Sequence, residues 1–222
     1  MHYDPAETLF RDGISRLQLS RLRTTCERAA RSRLYARKFR EAGLSPADIK
    51  TLDDVRRIPF TTKQDLRDSY PDGLNTVPTE KMVRMHVSSG TTGTPTVVYH
   101  TAADICWWSS LVARCMHMTG MRPRDVFQNT TSYGLFTGGL GMHYGAERLG
   151  CLAIPMGAGN TQRQLKLIQD FKVTALHIIP SYALYLANYC EINGIDPRSL
   201  GVRIALVGAE PYSEQARRRL ED

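Results

Sequence analysis

The chain has 222 residues, 42% of them apolar and 23% charged, a composition that excludes a disordered chain and fits one large domain or a helical piece joined to an α/β core. Its net charge of +7 comes from 29 basic and 22 acidic residues. The basic ones are interleaved with Leu, Ala and Glu along the N-terminal stretch, so a solvated helix face and a field that draws in small polyanions are expected, and nucleic-acid binding is not.

Five cysteines (Cys26, Cys106, Cys115, Cys151, Cys190) show no metal-ligand spacing and point to reduced thiols in a cytoplasmic protein. No signal peptide is expected at the N-terminus, and no run approaches the roughly 18 apolar residues of a membrane helix.

Residues 14–42 are predicted as one long helix, because Leu19, Leu22, Cys26, Ala29 and Ala30 recur at helical spacing and Gly43 supplies a stop. "SPADIKTLDDVRRIP" predicts a short helix with Ser45 as N-cap and Pro46 in its first position, and "TTKQDLRDSYP" another that ends before Pro71. Residues 1–80 therefore read as a helical N-terminal region.

From residue 81 the texture changes. The runs "MVRMHV", "PTVVYHT", "DVFQNT", "CLAIP", "ALHIIP" and "VRIALVGAE" alternate with helical stretches. That alternation predicts α/β units around a doubly wound, largely parallel sheet over residues 81–222. The last helix, "SEQARRRLED", barely begins, so this α/β subdomain is expected to be incomplete.

Directly after the first of these runs stands "SSGTTGTPT", residues 88–96. Gly90 and Gly93 allow unusual φ values and close approach of backbone amides, while Ser88, Ser89, Thr91, Thr92 and Thr94 add hydroxyl donors. Such a turn suits phosphate oxygens, and it equally suits a solvated hairpin loop. It is not a Walker A loop, since no lysine follows Gly93. Neither "GAGNTQ", which lacks its third glycine, nor "GGLG", which does not directly follow a strand, makes a dinucleotide fingerprint.

Taken together, "SSGTTGTPT", "PFTTKQDLRDSYPDGL", "YGLFTGGLGMHYGAERLG", "GAGNTQRQL", "PSYALYLA" and "GAEP" resemble, in order and spacing, the phenylacetate–CoA ligases and related aryl-acid CoA ligases of the acyl-adenylate-forming superfamily. The resemblance runs from about residue 15 to the last residue. It implies the N-terminal portion of an enzyme that uses Mg2+ and ATP to convert an aromatic carboxylic acid into an acyl-adenylate, and coenzyme A to form the thioester. A homodimer is the assembly it implies.

Carried over residue by residue, Ser88, Ser89, Gly90, Thr91, Thr92, Gly93 and Thr94 would hold the triphosphate. Gly208, Ala209, Glu210 and Pro211 would line the adenine and the acid pocket. Tyr133, Gly134, Leu135, Phe136, Gly138 and Gly139 would form the aryl side of the acid pocket, with Pro180, Ser181 and Tyr182 near its rim. No metal ligand is expected within these residues.

The bland alternatives stand beside these roles. Tyr133 and Phe136 also fit core aromatics, Glu210 a cap on the last helix, His143 a satisfied buried histidine, and Trp107 and Trp108 simple packing. Two departures bear on the substrate. Thr94 stands where many relatives carry lysine, and "NTTSYGLF" places Thr131 and Ser132 where phenylacetate enzymes commonly have tyrosine and glycine. Smaller, more polar groups there imply a hydroxylated or bulkier aromatic acid.

The family's Mg-linked glutamate, ribose-binding aspartate and C-terminal lysine would all lie beyond residue 222, so no catalytic residue is expected in this chain and adenylation by it alone is not. The alternative reading is a non-catalytic nucleotide-binding module or partner subunit.

Overall fold

The computed structural model describes residues 3–88, 93–135 and 137–221, and the chain forms two units, Met1–Asp104 and Ile105–Asp222. In the first unit the predicted long helix is two helices, α1 (Arg11–Ala29) and α2 (Arg33–Glu41). The break is made by Ser32, which is buried and extended at φ −78° and ψ 151°, and whose hydroxyl accepts a hydrogen bond from the Tyr35 amide. A serine that can bond the backbone two or three residues on competes with helix continuation and starts a new helix instead. Cys26, Phe39, Leu44 and Ile49 close a small core under α1 and α2.

The segment predicted as one short helix after Ser45 is two 3-10 turns, Pro46–Asp48 and Leu52–Arg57, each opened by a capping box, Ser45 with Asp48 and Thr51 with Asp54. A third box, Thr62 with Asp65, opens α3 (Lys63–Asp68). Strands β1 (Met82–Val87) and β2 (Val97–Thr101) then pair antiparallel as a hairpin of the first unit. These two runs therefore stand outside the parallel sheet that their hydrophobicity suggested.

Helix α4 (Ala102–Met118) leads into the second unit. Its sheet is parallel, in the order β4 (Leu152–Ile154), β3 (Val126–Asn129), β5 (Ala175–Ile178), β6 (Ile204–Val207). Helices α5 (Thr137–Leu149), α6 (Thr161–Asp170) and α7 (Pro180–Ile192) make the crossovers, and α8 (Glu214–Glu221) follows β6.

The chain steps from β3 outward to β4, then back across to β5. Right-handed crossovers therefore put α5 on one face and α6 and α7 on the other. The main core lies on the second face, where Leu165 and Ile168 of α6, Ala183, Leu186 and Cys190 of α7, and Leu176 and Ile178 of β5 pack together. Each leucine or isoleucine among them removed from water contributes about 1.5–3 kcal/mol.

On the other face α5 lies close to α4. A Cβ at Gly141 would come 2.4 Å from the Trp108 ring, and one at Gly145 2.4 Å from a Val112 methyl. Trp108 thus packs, while Trp107 is exposed. At the opposite edge of the strands Asp125, 2% exposed, ties three of them. It accepts from the Arg122 amide at 2.7 Å, the Thr174 hydroxyl at 2.9 Å and the Arg203 guanidinium. Among the described residues no helix is long and apolar enough to cross a membrane.

Candidate functional site

The turn 88–96 is the connection between β1 and β2. Its base is closed by two bonds between Ser88 and Thr96: the Ser88 amide donates to the Thr96 carbonyl at 2.9 Å, and the Thr96 amide donates to the Ser88 hydroxyl oxygen at 2.8 Å. Ser88 Oγ is used as an acceptor, so its proton remains available to another group. Gly93, at φ +119°, and Thr94 are exposed, and a Cβ at Gly93 would meet nothing. Ser89, Gly90, Thr91 and Thr92 lie outside the described residues.

In the second unit the direction of strand order reverses between β3 and β5. In open parallel sheets this is the place, at the carboxyl ends of the strands, where ligands bind. Asn129 at the end of β3 pairs in register with His177 of β5. Asn129 is fully buried, and its Nδ2 donates to the Gly139 carbonyl at 2.8 Å. Its Oδ1 receives the Thr131 amide at 3.2 Å, the Thr131 hydroxyl at 2.9 Å and His177 Nδ1 at 3.0 Å. The Thr130 amide and hydroxyl both donate to the His177 carbonyl, at 3.0 and 2.8 Å. One asparagine thus fixes the segment that leads into Tyr133.

Tyr133 is half-buried, with its ring edge-on to His143 at 5.7 Å between centroids and its hydroxyl 3.4 Å from His143 Nδ1. Burial pushes its phenol pKa up. His143 Nε2 in turn sits 3.1 Å from Glu147, so this histidine is satisfied on both ring nitrogens, as its place in an apolar helix suggested. Gly134 and Gly138 are exposed, Gly139 is buried against the backbone of the 131–132 turn, and Phe136 lies outside the described residues. Thr131 spends its hydroxyl proton on Asn129, so one of the two polar groups read beside the acid pocket is turned inward, while Ser132 is exposed.

The "GAGN" turn is held from beneath by two buried glutamines. Gln128 Nε2 donates to Gln164 Oε1 at 2.6 Å, and Gln164 Nε2 donates to the Gly157 carbonyl at 2.7 Å. Asn160, left-handed at φ 49°, caps α6 by accepting from the Arg163 amide. The glycines serve this turn, and the Asn160 side chain occupies the N-terminus of α6.

Past β6, Gly208 is followed by Ala209 at φ 74°, a left-handed conformation that costs about 1 kcal/mol in a residue with a Cβ. Glu210 does not cap the last helix. Its carboxylate reaches the N-terminus of α7, accepting from the Ser181 amide and from the Ser181 hydroxyl, both at 3.0 Å. The α7 N-cap, Ile179, has no side-chain acceptor, and Pro180 begins the helix, so Glu210 supplies the cap from a distance. Pro211 is exposed.

A cavity of about 760 Å3 lies within the second unit. Gly208, Val207, His177 and Met142 stand toward the carboxyl ends of the strands, and Arg203, Thr119 and Glu221 toward the other end. Of the residues expected to contact ligand, Gly208 lines this cavity; Tyr133, Gly134, Gly138, Gly139 and Ser181 do not. His177 does, and sequence reasoning missed it along with Asn129. The available signal was polarity: a histidine inside "ALHIIP" and "QN" closing "DVFQN" break runs that are otherwise apolar. Among the described residues no group of three His, Cys, Asp or Glu side chains could hold a metal ion.

The family model described as AMP-binding enzyme matches residues 17–222. The phenylacetate-coenzyme A ligase of Pseudomonas putida is 48% identical over 98% of this chain and 50% of its own length, and that of Escherichia coli (strain K12) is 46% identical over the same shares. That of Thermus thermophilus is 45% identical over 100% of this chain and 50% of its own. Among solved structures, an open conformation of 2-hydroxyisobutyryl-CoA ligase in complex with 2-HIB-AMP and CoA aligns at TM-score 0.90 and 30% identity, over 97% of this chain and 49% of that one.

The chain spans about half the length of the curated relatives it matches. Since one family model runs through nearly all of its length and the likeness extends to both units, the chain belongs to the AMP-binding enzymes.

Proposed function

We propose that the chain is the N-terminal portion of an ATP-dependent aryl acid–CoA ligase, which activates an aromatic carboxylate as its acyl-adenylate and then transfers the acyl group to coenzyme A. The observation that carries this reading is the 45–48% identity to phenylacetate-coenzyme A ligases over 98–100% of the chain, which takes in every element bearing a candidate residue.

The chemistry asks for two things. A carboxylate is a poor electrophile, and the charge that develops as it attacks the α-phosphate must be neutralised. The amides and hydroxyls of Ser88–Thr94 would bind triphosphate oxygens, with Thr94 giving a hydroxyl where many relatives give lysine. Gly208, Ala209 and Pro211 would lie against the adenine, the glycine leaving room for a flat base beside the backbone. Glu210 acts at one remove, by holding that turn to α7 through Ser181. Tyr133 and the 134–139 segment would shape the acid site. Mg2+ would arrive with the triphosphate, held chiefly by phosphate oxygens and water, as is usual for this ion.

The test is acid-dependent CoA thioester formation by the full-length protein across a panel of aryl acids. Thioester with a substituted aryl acid in preference to phenylacetate is expected, and no thioester with any aryl acid overturns the reading. The 222-residue chain alone is expected to show no ATP–pyrophosphate exchange; exchange by it would overturn the assignment of essential groups to the remaining half.

A further inference from the structure

His177 lies at the reversal of strand order, 8% exposed; its Nδ1 stands 3.0 Å from Asn129 Oδ1 and 3.3 Å from the Thr131 hydroxyl, and the residue lines the cavity that Gly208 also lines. Which nitrogen carries the proton follows from a chain of obligate partners. The Gly139 carbonyl can only accept, so the amide group of Asn129 must point its Nδ2 there. Its Oδ1 then faces Thr131 and His177, as the Thr131 amide, an obligate donor, independently requires. A flip of the amide would set NH2 against an N–H and lose both bonds. An oxygen that can only accept therefore fixes the proton on His177 Nδ1.

Burial disfavours the charged ring and lowers the His177 pKa, so at neutral pH the imidazole is uncharged. A neutral ring protonated at Nδ1 has a bare lone pair on Nε2. Of the two polar groups expected at the acid site, Thr131 and Ser132, Thr131 has already given its hydroxyl proton to Asn129.

We propose that His177 is a specificity-determining residue, presenting Nε2 as a fixed hydrogen-bond acceptor in the cavity beside Gly208, so that the site favours an aromatic acid with a ring hydroxyl over the unsubstituted acid. The proposal rests on the ligase reading and refines its substrate. An acceptor locked in place by its neighbours gains a bond from a phenolic O–H, whereas an unsubstituted ring leaves it buried and unpaired. Each of the three side chains is needed: Asn129 sets the tautomer, Thr131 fills the remaining site on Oδ1, and His177 meets the ligand.

Two measurements test this. Nitrogen-15 NMR of the imidazole in the 222-residue chain is expected to show a protonated Nδ1 and an unprotonated Nε2 at neutral pH; the opposite tautomer overturns the proposal. In the full-length protein, kcat/KM is compared for phenylacetate and its 2-, 3- and 4-hydroxy derivatives.

His177→Asn keeps a donor toward Asn129 and removes the acceptor, and is expected to lower the preference for the best hydroxylated acid by about tenfold. His177→Gln, whose Oε1 reaches the place of Nε2, should restore part of it. A preference unchanged in His177→Asn overturns the role of His177 while leaving the ligase reading intact. No turnover of any of the four acids by the unsubstituted protein strikes at the ligase reading itself, and the proposal falls with it.

Discussion

A methyl group placed on Gly139 would stand 2.2 Å from the carbonyl oxygen of Ser132. The first turn of α5 and the 131–132 turn thus approach more closely than any residue with a Cβ allows, and the Gly139 carbonyl is held there by Asn129 Nδ2. Gly139→Ala must push the two backbones apart, with an expected loss of about 1–3 kcal/mol. Gly138, one residue earlier, faces open space, so Gly138→Ala should leave stability unchanged or raise it by up to about 1 kcal/mol through helix propensity. Urea unfolding of the two variants decides the matter; equal effects would mean that the close approach is not a constraint.

The Glu210 carboxylate is expected to stabilise α7 by about 0.5–1 kcal/mol, the usual range of an N-terminal cap at an exposed site. Glu210→Ala should lower the unfolding free energy by that amount. Since both Glu210 bonds end on Ser181, adding Ser181→Ala should cost less than the sum of the two single changes. A double-mutant cycle with strictly additive effects would show that the two side chains do not act together.

The sequence carried the alternation of strands and helices because buried parallel strands are continuous apolar runs, and it carried the glycine-rich turn because few functions need so many small donors together. What stayed hidden depends on partners far apart in the chain. Nothing local tells that Glu210 serves Ser181, 29 residues earlier, or that Asn129 meets His177, 48 residues later. Ser32 was legible in principle as an N-cap, yet the apolar spacing on either side runs on across it and masks the break. The pairing of β1 with β2 was legible only in part: the hairpin reading of the 88–96 turn allowed it, while both runs have the composition of strands in the parallel sheet.

Thiol reactivity should divide the five cysteines by exposure. Cys106 and Cys115 are exposed, while Cys26, Cys151 and Cys190 are buried. Burial, with the nearby Asp125 charge adding to it, pushes the Cys151 thiol up to about 11, and burial also raises Cys26 and Cys190. A thiol that stays protonated and out of solvent is a poor nucleophile. At pH 8 a maleimide should therefore label Cys106 and Cys115 in the native chain, and the other three only after denaturation. Peptide mapping by mass spectrometry reads this directly, and early labelling of Cys151 would contradict its burial.

Acid should weaken the second unit through Asp125. Its burial favours the neutral carboxyl, but the bonds from Arg203, the Arg122 amide and the Thr174 hydroxyl outweigh that and hold its pKa below the ordinary carboxylate range. A folded-state pKa lower than the unfolded one means that the unfolded chain binds the extra proton first. The stabilisation is thus complete above the unfolded value of about 4 and is lost as pH falls from there through the folded value. Asp125→Asn keeps the shape but cannot carry the charge that Arg203 faces. It should lower stability at pH 7 by about 2–3 kcal/mol and flatten the decline below about pH 4. Unfolding midpoints measured across that range give the slope directly. A variant whose acid limb parallels that of the parent would place the titrating group elsewhere.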